Sequence, residues 1–532
     1  MKIHTRGLTS STRMLWVVLV LGAVLQSWIA MQPLGFLLGH NVPDDAFYVF
    51  TVARNIAGGF GSTFDRIAPT NGYHPLWMGV GVLPYYMDLN GIDALRALLF
   101  AGVFFNLCAA ALLYLIAARR LACADAAAIA VSAWYLLSPV ANLTAAGQLN
   151  GIETSLNCLV LLACIDRFLA VRASPLRVGS MALLGVFLGF AFLARTDNVI
   201  FASALYFFLL WTHWRESGVI GKLFIGGLAS IAVSAPWVIW NVTTFHALVQ
   251  TSGKVLAQTT WLVAEAGGWW WPDTVLQVVK NLADLVCFTF ALHVSKTSPY
   301  YFLGMAALAF TVWADLRWSS RAERALPDER SLAILVLSAI LIFYVIQTLR
   351  TIWFRPWYHF SWEPVLLLVA ARILTRGWQS PLHGAYWLTV GILVLFATAT
   401  WLKDWSGTDW ALYRTLPQVR QIALDGGTKV GVWNAGFLGY GTGGRSVVNL
   451  DGSVNNQIGA AIRSGEECEY LCGEGIRTLV DYDSAVLGAE KIWKMDGCSF
   501  SRVRLLEHAN KWAGAVWQWR VNCPKTASSD RN

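Results

Sequence analysis

Two adjacent carboxylates, Asp44 and Asp45, follow closely on an apolar run from Met14 to Met31. Acids set against a membrane-length apolar segment are costly unless they serve a purpose, so this pair is the first candidate for chemistry. A carboxylate within hydrogen-bond reach of a hydroxyl can take its proton as that hydroxyl attacks an electrophilic carbon. Pro43 fixes the chain just ahead of the pair, and Ala46 to Ala57 has helical spacing. The acids then stand at the start of a short interfacial helix, where free N–H groups and the helix dipole favour negative charge. A plainer reading makes Asp44 an N-cap and Asp45 a first-turn acid. The rest of the loop weighs against it. Arg54, Asn55, Asn71, His74 and Trp77 are residue types that bind sugar hydroxyls or stack on sugar faces. Gly58, Gly59, Gly61 and Gly72 permit tight turns and close backbone approach.

The elements that position this loop are read from hydropathy. The chain is 56% hydrophobic and only 14% charged, far below the charge of a soluble domain. Its apolar residues fall in blocks long enough to span a bilayer as helices. After the first run they lie near 95–118, 124–141, 152–170, 177–194, 198–213 and 219–240, then 299–316, 331–349, 360–374 and 384–402. This predicts an α-helical polytopic membrane protein with about eleven spans. Basic residues sort to one side of that arrangement. Arg119-Arg120, the group Arg167, Arg172 and Arg177, and the pair Arg215 and Lys222 fall in cytoplasmic connectors. So do Arg317, Arg321, Arg324 and Arg330, then Arg372 and Arg376. The N-terminus is thus expected in the cytoplasm, and Asp44-Asp45 and the C-terminus outside it. A net charge of +8 does not signal nucleic acid, because the basic residues sit in these connectors and form no soluble stripe.

From about Lys403 the composition turns charged and Gly-rich. Residues 1–402 are expected to form the membrane domain and 403–532 a small extracytoplasmic α/β domain. Thr428–Trp433, Ser446–Leu450 and Ile476–Val480 read as short strands, and Leu412–Leu424 as a helix. Cys468, Cys472, Cys498 and Cys523 suggest disulfides in an oxidising compartment, with three pairings open. A zinc site is the competing reading of the same four. The connector 241–299 holds Trp269-Trp-Trp271 and an amphipathic stretch from Asp273 to Leu285, expected to lie on the outer membrane surface.

The ordered motifs resemble a family. The Asp-Asp pair, Asn55 to Gly61 (Asn-x-x-x-Gly-x-Gly) and Asn71-Gly-Tyr-His-Pro-Leu-Trp77 look like the GT-C superfamily of membrane glycosyltransferases. That group includes the protein O-mannosyltransferases, the aminoarabinose transferase and the arabinofuranosyltransferases. Gly151-Ile-Glu-Thr154, Phe192–Asp197, Ala235–Lys254, Trp353–Phe360 and Val432–Gly452 resemble further bacterial members. The resemblance implies inverting transfer of a sugar from a polyprenyl-phosphate donor to a glycan, lipid or protein acceptor at the outer face. Asp44 or Asp45 would be the base, with a slight preference for Asp45. A phosphate leaving group needs cations and donors to hold it. The candidates are Lys254, Arg350, Arg355 and His359, with Arg355 foremost because it is set among aromatic residues. Glu153, Arg195 and Asp197 would line the acceptor cavity, though Arg195 and Asp197 also read as a self-neutralising pair. Some members of the superfamily use a divalent cation (Mg or Mn). Asp44, Asp45 and His74 would be its ligands here, but no paired-His spacing argues for one.

Two other function classes compete. A lipid or sugar transporter or flippase would show internal repeats and broken helices at mid-membrane, and no repeat is visible. A non-catalytic envelope scaffold would leave Asp44 and Asp45 free to vary.

Overall fold

The computed structural model describes residues 10–144, 147–172, 174–290, 306, 327–352, 354–379, 383–404, 410–426, 429–492, 497–510 and 514–524. The expected span at 299–316, the basic residues Arg317, Arg321 and Arg324, and Trp353 of the aromatic cluster lie outside these residues. Helices occupy each of the other apolar blocks. Among the described residues, five are long and apolar enough to cross a membrane: Ser10–Ala30, Gly91–Arg120, Asp125–Leu143, Thr154–Arg172 and Val219–Phe245. Val178–Ala194 and Leu335–Thr351 are shorter apolar helices.

These helices are built inside-out relative to a soluble protein. The Val219–Phe245 helix turns Ile220, Phe224, Ile231 and Ile239 outward. Polar side chains point inward instead: Asn106 donates to Gln26 Oε1 at 3.1 Å, and both residues are fully buried. That distribution suits lipid, which solvates apolar surface and leaves polar groups to find partners within the protein. Small residues bring helices close. A Cβ on Gly185 would stand 2.0 Å from the Gly226 carbonyl oxygen, so glycine is required where Val178–Ala194 crosses Val219–Phe245.

The C-terminal residues form a five-stranded sheet in the order β2-β1-β3-β5-β4. Strands β1 (Val430–Val432), β2 (Val447–Asn449) and β3 (Thr478–Tyr482) run parallel. Strands β4 (Ser499–Asn510) and β5 (Gly514–Asn522) form an antiparallel hairpin against β3. The three short strands coincide with the stretches read from sequence. The hairpin adds two strands beyond those stretches, and Ser499-Phe-Ser-Arg-Val-Arg504 alternates as a strand should. The helix expected over Leu412–Leu424 is broken into Ala411–Arg414 and Leu416–Gly426. Pro417 explains the break, since it has no N–H to continue the first helix's ladder. Disulfides join Cys468 to Cys498 and Cys472 to Cys523, tying the Glu467–Gly473 helix to the hairpin.

The sheet and the first loop share one hydrophobic core, in which Phe47 and Phe50 pack with Val430, Val432 and Leu438. Contact is at backbone distance. A Cβ on Gly72 would lie 1.8 Å from the Ser453 carbonyl oxygen, and one on Gly436 would lie 2.1 Å from that of Asp44. The sheet thus holds the loop that carries the acids.

Candidate functional site

Asp44 and Asp45 open the Asp44–Ala57 helix, after Pro43. Their hydrogen bonding differs. Asp44 Oδ2 accepts from the Gly436 N–H at 2.8 Å, and Oδ1 from the Phe437 N–H at 2.9 Å. Those donors begin the Gly436–Gly441 helix that follows β1. In open sheets with parallel strands, ligands bind outside the carboxyl ends of the strands. Here the carboxylate of Asp44 fills such a place. Buried Asp481 on β3 shapes the turn by accepting from the Trp433 and Asn434 N–H groups at 2.8 and 3.2 Å. Burial pushes the Asp44 carboxyl up to about 7, against the lowering effect of its two backbone donors.

Asp45 accepts no hydrogen bond from any described residue and keeps partial solvent access. Burial raises its carboxyl pKa, the Arg355 guanidinium opposes that rise, and Asp451 and Glu153 add to it. Asp45 in turn is the main influence raising the pKa of Arg355, which is exposed. Asp451 lies within the Asn449–Gly452 motif, to which no role was assigned from sequence. It accepts from the Tyr48 hydroxyl at 2.9 Å and from the Ser453 N–H at 2.7 Å. Tyr48 stands one helical turn after Asp44, so its side chain links the acid end of the helix to the sheet.

A second polar group adjoins the first. Arg195 donates to Glu153 Oε1 at 2.6 Å and forks onto both oxygens of Asp197 at 3.2 and 2.9 Å. It also lies over the Tyr358 ring, 4.7 Å from the centroid. The expected pairing of Arg195 with Asp197 is therefore present, and Glu153 completes it. Arg195 holds the Asp197 carboxyl below the ordinary value although burial alone would raise it. His74 Nε2 lies 3.6 Å from Glu153 Oε1, and its Nδ1 faces Gln250 Nε2 at 2.9 Å. Burial lowers the His74 pKa, favouring the neutral ring. Gln347 donates to Asp197 at 2.9 Å. Neither glutamine was singled out from sequence, because nothing local marks a glutamine whose partners lie far away in the chain.

Several predicted sugar-binding residues are occupied with the protein itself. Asn55, fully buried, donates to the Thr63 and Phe64 carbonyls at 2.9 and 3.1 Å and accepts from Arg66. Asn71 accepts from Thr251 and Asn456 and donates to Asn241, joining three distant segments. Trp77 is 1% exposed and donates to the Gly151 carbonyl at 3.2 Å. These three position the loop and present no free face to a sugar. Arg54 sits at the far end of the helix, donating to the Tyr440 carbonyl at 3.0 Å. Among the predicted phosphate cations, Lys254, Arg350 and Arg355 are exposed. His359 departs from the expectation. It is 3% exposed, hydrogen-bonded through Nδ1 to the Tyr344 hydroxyl at 2.7 Å, and stacked on Phe288 and Phe354.

Of the residues suggested for a divalent cation, Asp44 and His74 are engaged by the protein, and Asp45 accepts no hydrogen bond from the described residues. Both oxygens of Asp44 accept backbone N–H groups, and both ring nitrogens of His74 face other side chains. Among the described residues, the only trio of potential ligand atoms at metal-binding spacing is Cys468, Cys472 and Cys498, and all three are in disulfides.

This architecture has solved counterparts. Apo ArnT from Cupriavidus metallidurans matches with a TM-score of 0.56 at 15% identity, over 94% of this chain and 97% of that one. ArnT from the same organism bound to undecaprenyl phosphate matches at 0.53 and 15%, over 94% and 98%. The archaeal oligosaccharyltransferase AglB from Archaeoglobus fulgidus, in complex with an inhibitory peptide and a dolichol-phosphate, matches at 0.51 and 12%, over 90% and 70%. The chain has the GT-C fold. Residues 83–240 also match the family model of dolichyl-phosphate-mannose-protein mannosyltransferase. No curated protein sequence matches the chain. The matched stretch includes Glu153, just ahead of the Thr154–Arg172 helix, and Arg195, just after the Val178–Ala194 helix, and ends before the sheet.

Proposed function

We propose that the protein is an inverting glycosyltransferase that moves a sugar from a polyprenyl-phosphate donor to an acceptor hydroxyl at the outer face of the membrane, with Asp45 as general base. The observation that carries this reading is the division of labour between the two acids. Both are partly exposed, but Asp44 is engaged on both oxygens, whereas Asp45 is unbonded and faced by Arg355. In the reaction the acceptor oxygen attacks the anomeric carbon from the face opposite the phosphate. Asp45 takes the hydroxyl proton as the new C–O bond forms, and the bond to the phosphate oxygen breaks. The departing polyprenyl phosphate keeps the bonding electron pair, so its charge grows, and exposed Arg355, Arg350 and Lys254 supply the compensating cations.

The lipid ligands named with the two solved neighbours, undecaprenyl phosphate and dolichol-phosphate, support a donor of that class. The Arg195 cluster fits the acceptor side as a rigid wall. Helices Ser252–Ala266 and Trp271–Thr289 fit a cover over the donor. The second exposes Trp271, Val275, Leu276 and Val279 while burying Gln277 and Asn281, as an element resting on lipid would. Residues 403–532 are read as an extracytoplasmic domain that fixes the catalytic loop. A divalent cation has no part in this scheme.

The test is transfer by reconstituted protein from a panel of polyprenyl-phosphate sugars to envelope glycan, lipid and peptide acceptors. Wild type should transfer and Asp45→Asn should not, while Asp44→Asn keeps measurable activity. Full transfer by Asp45→Asn would remove Asp45 as the base.

A further inference from the structure

Along the Asp44–Ala57 helix, from Phe47 to Arg54, a cleft of about 270 Å³ opens between that helix, the start of the Gly91–Leu115 helix and the sheet's Gly436–Gly441 helix. Its wall is apolar, from Leu34, Phe47, Ile92 and Leu95, and two arginines, Arg54 and Arg420, also line it. Leu34 follows the first crossing helix and Ile92 begins the second, so the cleft lies at the level where crossing helices leave the membrane.

Its charge is unbalanced. Arg54 donates through Nη1 to the Tyr440 carbonyl and lies over the Tyr440 ring, 4.7 Å from the centroid, while its Nε and Nη2 are buried without a hydrogen-bond partner. Arg420 donates only to the Gly441 carbonyl, at 3.0 and 2.7 Å. Arg66 and Arg445 stand close enough for their charges to bear on this end of the helix. None of the four forms an ion pair with a carboxylate among the described residues. Buried guanidinium donors left unpaired destabilise a fold unless a ligand satisfies them. The fork geometry of arginine suits the oxygens of a phosphate.

We propose that this cleft is a second lipid site, distinct from the reacting centre, which takes an anionic amphiphile. Its phosphate seats on Arg54 and Arg420, and the first carbons of its chain lie against Phe47, Ile92 and Leu95. Ten residues of helix separate Asp44 from Arg54, roughly 15 Å along the axis, so one phosphate cannot serve both ends. The cleft also borders Phe437, whose N–H holds Asp44, so an occupant would brace the turn that fixes the catalytic loop.

Lipid binding to the purified full chain in a neutral detergent tests this without recourse to transfer activity. The probes are phosphatidylglycerol, farnesyl phosphate, phosphatidylcholine and inorganic phosphate. Farnesyl phosphate is also measured on Arg355→Gln, which separates binding at the proposed donor site. The expected result is salt-sensitive binding of one or both anionic lipids, weakened tenfold or more in Arg54→Gln/Arg420→Gln and unchanged in Arg504→Gln on the exposed face of β4. Ile92→Trp fills the apolar wall, leaves all the arginines in place, and should weaken the same lipids. A preference for phosphatidylglycerol identifies the occupant as bulk phospholipid, and one for farnesyl phosphate as isoprenoid phosphate. Undiminished binding in both the double variant and Ile92→Trp would overturn the proposal. So would phosphatidylcholine or inorganic phosphate binding as tightly as the anionic lipids.

Discussion

The two ends of the Asp44–Ala57 helix carry opposite charge and treat it differently. At the N-terminal end, acids gather where the helix dipole favours them, and most are answered: Asp44 by backbone N–H groups, Asp451 by Tyr48, and Glu153 by Arg195. Asp45 is left open beside Arg355. At the C-terminal end, arginines gather where the dipole favours cations, and no carboxylate answers them among the described residues. A balanced cluster with one free member suits chemistry on a substrate that leaves. An unbalanced cluster suits a ligand that stays.

The largest expected effect isolates the free member. Asp45→Asn should lower transfer about 10²- to 10⁴-fold, the usual contribution of a positioned base, and leave the apparent Tm nearly unchanged because no hydrogen bond is lost. Rates over donor and acceptor panels, with the melting curve of the same preparation, check this. A large fall in Tm would move Asp45 from chemistry to structure.

Next comes the balance at each end. Arg195→Gln strips the cation from a buried cluster and leaves Glu153 and Asp197 facing each other, at a cost of about 3–5 kcal/mol. Arg54→Gln removes a charge that has no acid partner, and should cost about 1 kcal/mol or less in lipid-free detergent. Chemical or thermal unfolding of the two variants side by side checks the contrast. Equal destabilisation would mean that the contacts of Arg54 with Tyr440 stabilise the fold as much as the Arg195 ion pairs do.

The sheet reaches both ends of the helix, so loosening it should affect both. Replacing Cys468 and Cys498 by serine opens a closure of 30 residues and should cost about 2–4 kcal/mol. Limited proteolysis should then cut first within the hairpin. If transfer falls with intact membrane helices, the sheet is acting through the loop it grips.

How much of this was legible in the sequence depends on the distance between partners. The crossing helices are written in hydropathy, and the acids in their own local setting after Pro43. The short parallel strands are readable because each is a short, largely apolar run with Gly or Asp close on either side. The roles of Asn55, Asn71 and Trp77 were not, because a side chain suited to a sugar hydroxyl is equally suited to a distant carbonyl or amide. Asn71 meets partners 170 to 385 residues away. The same holds for Asp44, whose donors lie 392 and 393 residues downstream. Gly436 carried a clue, since a glycine opening a short helix after a strand often marks close approach, but nothing in its neighbourhood named Asp44 as the visitor. The setting of His359 is hidden for a related reason: Phe354 nearby in sequence and Phe288 from a distant helix both stack on its ring.

The smallest effect separates the neighbouring acids by pH. Asp44 ordinarily titrates at 3.8 and is pushed up to about 7 by burial. An acid whose pKa is raised by folding binds its proton more tightly in the native state. Its contribution to stability is therefore full below about pH 3.8 and is lost as pH rises toward 7. Asp44→Asn cannot titrate, so its apparent Tm should be flatter than that of wild type over this window. The amide also places an N–H against the Gly436 or Phe437 N–H, which should cost about 1 kcal/mol near pH 5 and less near pH 7. Melting curves at half-unit steps across the window check the sign and whether the two curves close and cross. Asp45→Asn should leave the Asp44 slope in place, with its midpoint moved slightly down because the Asp45 charge helps to raise the Asp44 pKa. A slope that vanished in Asp45→Asn and persisted in Asp44→Asn would exchange the roles of the two carboxylates.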